Sequence, residues 1–131
     1  PGDTKGEARH RTFTKNELKL MFNHMEDSDF NHFVRFAYYT GARRGEIASL
    51  SIESVIEDSL VVRGKTGRRY IKLNQQAKDI LNCQESLWNY SKNYVSQHFK
   101  KEVRRLNIRN ARFHDLRRTF GLNLIKQGMS I

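Results

Sequence analysis

The stretch SVIEDSLVVRGKTGRRYIKL, residues 54–73, decides the fold class, because the hydrophobic period changes there. β-Branched and apolar residues cluster at 55–56 and 60–62, and alternation runs through Tyr70, Ile71, Lys72 and Leu73. Turn-forming residues lie between these runs, at Glu57-Asp58-Ser59 and at Gly64–Gly67. Short runs bounded by such signals predict a three-stranded antiparallel meander.

On both sides of this segment the period is helical. Upstream, Thr14 and Glu17 form a capping-box pattern, and Leu18, Met21, Phe22 and Met25 then share one face. Phe30, Phe33, Val34, Phe36 and Ala37 mark a second helix, ending near Thr40-Gly41 because glycine terminates helices readily. A short third helix is predicted from about Arg43. Downstream, NQQAKDILN (74–82) opens a helix, and Tyr94, Val95, Phe99, Val103 and Leu106 recur at helical steps over about 91–107. The last helix is predicted from near His114 through Leu116, Phe120 and Leu124, with Gly128 as its stop signal. The expected fold is therefore α+β: a mainly helical domain, residues 13–131, with a small antiparallel sheet. Residues 1–12, polar and without periodicity, read as a linker or flexible arm.

The chain has 131 residues, enough for one domain with a real core. Lys and Arg number 24 against 14 acidic residues, a net charge of +10, so a polyanion, most often nucleic acid, is the expected partner. A basic protein without a specific anionic partner is the plain alternative. Cys83 is the single cysteine, which rules out an intrachain disulfide, and no Cys/His spacing suggests zinc. An intracellular, cytoplasmic setting is expected. No apolar run reaches the roughly 18 residues of a membrane span. A chain that opens on Pro1 is expected to be a piece of something longer.

The positive charge is concentrated. Residues 100–118 carry eight Lys or Arg, and residues 63–72 carry five with no acid. Two such clusters with aromatic neighbours suit phosphate contacts, although charge runs are often only solvated faces. Arg44, Arg68, Arg69, Arg112 and Arg118 are the candidate DNA-contacting residues. Within FHDLRRTF (113–120), His114 and Arg117 fall on one helical face near a helix start, where free N–H groups also favour anions. In TGARRGEIASL (40–50), Gly41 allows a sharp turn before Arg43, and Glu46 lies three residues on, placed to hold that arginine. An ordinary surface ion pair is the plainer reading of those two. Lys65 sits in a glycine-flanked turn, free to reach outward.

Several chemistries find no support. The GKT at 64–66 lacks the glycine that a phosphate-binding P-loop needs five residues earlier, since position 59 is Ser. No carboxylate cluster suggests a metal-dependent nuclease, and no G-x-S-x-G marks a serine hydrolase. Neither metal nor cofactor is expected.

In this order, the three basic pieces are similar to the tyrosine recombinase family, the phage-integrase type of site-specific DNA recombinase. TGARRGEIASL resembles the segment with the family's first catalytic arginine, here Arg43, and Glu46 matches its usual acidic support. Lys65 falls where the family places its β-hairpin lysine, and HDLRRTF (114–120) resembles the His-x-x-Arg box, giving His114 and Arg117 those roles. TFTKNELKLMF (12–22) resembles the first helix of the catalytic domain. The likeness covers about residues 12–131.

The resemblance implies DNA breaking and rejoining, as in DNA integration by mobile elements. Two arginines bind the nonbridging oxygens of the scissile phosphate. The lysine protonates the leaving 5′ oxygen, the histidine assists proton transfer, and a tyrosine forms a 3′-phosphotyrosyl link. It also implies double-stranded DNA as partner and a tetramer on DNA for the intact protein. The fragment itself is expected to be monomeric and inactive. In the family the nucleophilic tyrosine follows the His-x-x-Arg box by several tens of residues, whereas all five tyrosines here (38, 39, 70, 90 and 94) precede it. Tyr38 and Tyr39 read as core, Tyr94 lies on the apolar stripe of its own helix, and Tyr70 lies in a strand. The nucleophile and the family's DNA-clamping domain are therefore expected outside this chain. Lys72 stands where relatives often carry proline. Two other readings stay open: a non-catalytic duplex-DNA-binding module with this fold, and a basic RNA-binding protein. Neither an RRM signature nor a suitable KH-type GXXG clamp is evident.

Overall fold

The computed structural model describes residues 11–64 and 67–126. Lys65, Gly128 and the first ten residues of the expected arm lie outside the described residues.

The order of elements follows the hydrophobic pattern closely. Helices α1 (Lys15–His24), α2 (Ser28–Thr40) and α3 (Arg44–Ile47) come first. A single 3₁₀ turn (Ile52–Ser54) leads into strands β1 (Val55–Ile56), β2 (Ser59–Gly64) and β3 (Gly67–Lys72). Helices α4 (Gln75–Cys83), α5 (Lys92–Arg105) and α6 (Asp115–Lys126) complete the domain. Helix starts are set by local chemistry. The Thr14 hydroxyl accepts from the Glu17 amide while Glu17 returns to the Thr14 amide, and Asp27, Asn74 and Ser91 cap α2, α4 and α5.

The sheet is antiparallel in the order β1-β2-β3. Its register pairs Leu60 with Ile71, Val62 with Arg69 and Gly64 with Gly67. Because side chains alternate, Leu60, Val62, Arg69 and Ile71 share one face, and Arg63, Arg68, Tyr70 and Lys72 share the other. The first face is the buried one, where Leu60 and Val62 are almost fully enclosed. Arg69 is thus an arginine in an inward-facing register.

Helix α2 is the spine of the core. Phe30, Phe33, Val34, Phe36 and Ala37 are buried along it, as its period predicts. Phe33 meets Trp88 edge-on at 5.4 Å and stacks on Phe113 at 5.6 Å, while Phe113 also meets Phe99 at 5.6 Å. Burying one such ring contributes roughly 1.5–3 kcal/mol relative to leaving it exposed. Phe113 therefore anchors the loop before α6 and fixes where the next residue, His114, emerges.

The structure corrects the placing of one residue on the apolar stripe of α5. Tyr94 is exposed: it stacks on His98 at 5.2 Å and lies 5.0 Å from Tyr90 at the edge of α5. Neighbouring helical positions are about 100° apart, so Val95 points inward while the Tyr94 ring lies at the margin, against Phe30, Tyr90 and His98. Tyr38 and Tyr39 are half-buried and pack against the core, with the Tyr38 hydroxyl accepting from Asn123 at 2.6 Å. Among the described residues, no helix is long and apolar enough to cross a membrane.

Candidate nucleic-acid interface

The site is assembled where the end of α2, the Gly64–Gly67 end of the β2–β3 hairpin and the start of α6 meet. Gly41 closes α2 in the left-handed conformation, φ +67°, which glycine adopts without steric cost. A second constraint acts there, because a Cβ on Gly41 would fall 2.4 Å from the Phe120 ring of α6. The turn directs the chain into Arg43, the N-cap of α3, whose side chain is exposed.

Glu46 organises this turn, and its i,i+3 ion pair with Arg43 is the longest of its contacts. The guanidinium of Arg43 stands 4.0 Å from the Glu46 carboxylate, beyond hydrogen-bonding distance. The carboxylate accepts instead from the backbone amide of Arg43 at 2.8 Å. It is gripped side-on by Arg69, whose Nε and Nη2 donate at 2.7 and 2.9 Å. Two donors in a planar fork outcompete one long, flexible contact. Burial by itself raises the Glu46 pKa, and the Arg69 hydrogen bonds, the Arg43 amide and the two positive charges together hold it below the usual range.

Helix α6 supplies the other half. Asp115 is fully buried and accepts from the Arg112 amide at 2.9 Å, fixing the turn before the helix. The Thr119 hydroxyl donates to the Asp115 carbonyl at 2.7 Å and accepts from the Phe13 amide at 2.9 Å, tying this turn to the entry of the chain. Arg117 donates from Nη1 to the carbonyl oxygen of Gly41 at 2.7 Å, joining residues 76 positions apart. Burial lowers the Arg117 pKa, and the charges of Arg43 and Arg69 lower it further. His114 is depressed below 6.5 by desolvation first, then by Arg118, Arg117 and Arg43, with Asp115 opposing. Close cations held by protein contacts form a place where an anion is strongly favoured.

A cleft of about 1490 Å³ opens beside these residues. Arg43, Arg44, Arg63, Lys100, Arg104 and Arg112 are among the cations along its walls, and among the described residues Glu46 is its one acidic lining residue. Arg44 crosses it to donate to the Ser96 hydroxyl, tying α3 to α5. Arg11 braces the far rim, donating to the carbonyls of Arg109 and Asn110 at 3.0 and 3.3 Å while pairing with Glu17 at 2.9 Å.

Of the residues singled out by sequence, Arg43, Glu46, Arg69, His114 and Arg117 come together, and Arg44 and Arg112 line the adjoining cleft. Arg118 lies one step around α6, its Nε 3.8 Å from Asp115. Arg68 is on the outer face of the sheet, over Tyr70 at 6.0 Å. The hairpin closes on the Gly64–Gly67 pair, and a Cβ on Gly64 would sit 3.6 Å from the Glu46 side chain, so this end of the hairpin packs on Glu46. Lys65 lies outside the described residues. The part played by Arg69 had a signal in the sequence: it alternates with Ile71 and Leu73, so it faces inward and requires a buried anion. Among the described residues, no group of three His, Cys, Asp or Glu side chains could hold a metal ion.

Comparison with known proteins places the chain. Residues 11–131 match the family model described as the phage integrase family, and the chain belongs to that family. Its fold is also that of solved recombinases. It superposes on XerA recombinase with a TM-score of 0.77 at 17% identity, covering 97% of this chain and 54% of that one. With the lambda integrase catalytic core the TM-score is 0.75 at 23% identity, covering 91% and 85%. With lambda integrase residues 75–356 bound to DNA it is 0.79 at 20% identity, covering 93% and 53%. The chain thus spans about half the length of XerA recombinase. No match is found among curated protein sequences.

Proposed function

We propose that this chain is the phosphate-gripping part of a tyrosine-type, site-specific DNA recombinase catalytic domain. One observation carries the reading: Arg117 is bonded to the turn that launches Arg43, so a guanidinium of α6 is tied to the segment that carries a second one from a distant part of the sequence. That arrangement suits the two nonbridging oxygens of a phosphodiester, whose charge grows in the transition state of in-line displacement. The partner is duplex DNA, as in the lambda integrase structure bound to DNA. The intact protein assembles as a tetramer on its site, whereas this chain alone is a monomer.

In the proposed reaction, a tyrosine hydroxyl attacks the scissile phosphorus. The P–O bond to the 5′ oxygen breaks, and Lys65 gives the departing oxygen its proton. His114, beside the start of α6, assists the proton transfer. Rejoining reverses these steps. Tyr38, Tyr39, Tyr90 and Tyr94 pack among aromatic neighbours, and Tyr70 lies on the face of the sheet opposite Arg69. Their positions support a nucleophile supplied from beyond this chain. They equally suit the second reading, a non-catalytic duplex-binding module.

The test is a nicked suicide duplex incubated, without added metal, with the longer protein to which this chain is proposed to belong. A covalent protein–DNA adduct that disappears in Arg43→Ala and Arg117→Ala is the expected result. Duplex binding on a verified site without any adduct would leave the binding module as the better description.

A further inference from the structure

We infer that Arg69 is a positioning residue: it occupies the Glu46 carboxylate so that the Arg43 guanidinium stays available to phosphate. This rests on the phosphate-gripping role proposed for Arg43. It also gives Arg69 a role other than a direct DNA contact.

The argument starts from the buried carboxylate. The Glu46 side chain is only 4% exposed, and a buried anion is tolerated only when it is paired and hydrogen-bonded. Two cations are within reach. Arg69 is at 2.7 Å with two donors, and Arg43 is at 4.0 Å with one. Without Arg69, the nearest compensation for Glu46 would be Arg43, and closing that gap of little more than an ångström would turn its guanidinium inward. Arg69 thus prevents an internal competition for Arg43. The backbone amide of Arg43 remains on Glu46 throughout, which fixes the turn while leaving its side chain exposed. Register makes this possible. Arg69 stands across from Val62 on the inner face, and Gly64 at the hairpin end brings no side chain between the strand and Glu46. The same contact therefore also sets the Arg43 turn against the hairpin whose connection carries Lys65.

The inference makes an unusual genetic prediction, because a second loss should repair the first. Arg69→Met keeps an apolar stem and leaves Glu46 unpaired. Arg69→Met/Glu46→Gln removes the unpaired charge while a side-chain oxygen remains to accept from the Arg43 amide. In duplex binding by this chain, Arg69→Met should weaken affinity roughly tenfold through Arg43, and adding Glu46→Gln should restore it to within about threefold. Arg43→Ala should remove most of the effect of Arg69→Met. If Arg69 instead contacts phosphate, Glu46→Gln rescues nothing, and Arg69→Met lowers the salt slope of binding by about one. That pattern would overturn the inference.

A DNA-free readout separates this inference from the proposed function. The guanidinium Nε–H resonance of Arg43 should shift in Arg69→Met and return in the double variant, while that of Arg69 stays protected from exchange in the parent chain. An Arg43 resonance that is unmoved by Arg69→Met would sink the inference whether or not DNA binds. If the resonances behave as expected but no variant binds duplex, the positioning role stands and the DNA reading fails. Circular dichroism and melting of the double variant, which carries no unpaired buried charge, show whether any loss reflects unfolding.

Discussion

Arg117 holds the carbonyl oxygen of Gly41 at 2.7 Å, so a side chain of the last described helix secures the left-handed turn that begins the Arg43 segment. One guanidinium thereby contributes to both stability and charge. A hydrogen bond from a charged donor is worth roughly 1.5–3 kcal/mol, and Arg117→Ala should lower unfolding free energy by about that amount in urea melts. Arg117→Lys should recover part of the stability but little of the DNA affinity, because an ammonium cannot hold the carbonyl and present a planar fork together.

Gly41→Ala tests two constraints at one position. A side chain in the left-handed region costs roughly 1–2 kcal/mol, and overpacking against Phe120 adds about 1–3 kcal/mol. Gly41→Ala/Phe120→Leu should relieve the second penalty and leave the first. Thermal or denaturant melts of the three proteins give the comparison directly.

His114 should give opposite pH signs for stability and for DNA binding. Its pKa in the free folded chain lies below 6.5, so the folded state binds fewer protons than the unfolded one. Stability contributed by the neutral ring is therefore present above pH 6.5 and is lost as pH falls through 6.5 toward the folded value. A bound phosphate raises the same pKa by favouring the charged ring. Duplex affinity should then increase as pH falls from about 7.5 to about 5.5, and His114→Gln should flatten that rise. Binding titrations at constant ionic strength measure it.

At the entry of the chain, Glu17 serves the capping box of α1 and the Arg11 brace at once. Thr14→Ala should cost about 1 kcal/mol through the cap. Glu17→Ala should cost more, since Arg11 also loses its partner, and backbone exchange at Arg109 and Asn110 should speed up only in that variant. Hydrogen exchange distinguishes the two.

The elements were legible because each carries its own local signal: the Thr14–Glu17 box, the phenylalanine stripe of α2, the glycine-bounded strands and the period of α5. Residues of the site could be named for the same reason, since Gly41-x-Arg43 and His114-x-x-Arg117 are short motifs. Their connections were less accessible. Nothing in spacing alone says that Glu46 turns to Arg69, 23 positions away, in preference to Arg43 on its own helix. That choice depends on β-register, which the alternation of Arg69, Ile71 and Leu73 contains but which needs the sheet to be oriented first. Tyr94 was misplaced for a related reason: period assigns a helical face, and of two neighbouring positions about 100° apart one is left at its margin.

The contact between Arg117 and Gly41 also orders events during folding. A chain folded only through α5 has its sheet, its phenylalanine spine and the Arg43 turn held by Glu46 and Arg69, but no anchor on the Gly41 carbonyl. Arg117, the histidine and the clamp on that turn all arrive with α6, the clamp across 76 positions of sequence, where loop closure costs more entropy than in a local contact. Local release of α6 from the core would accordingly dismantle the anion site while much of the protein still looked native. Protection from hydrogen exchange in α6 should therefore track phosphate affinity more closely than does global stability. The site is completed by the docking of a single helix.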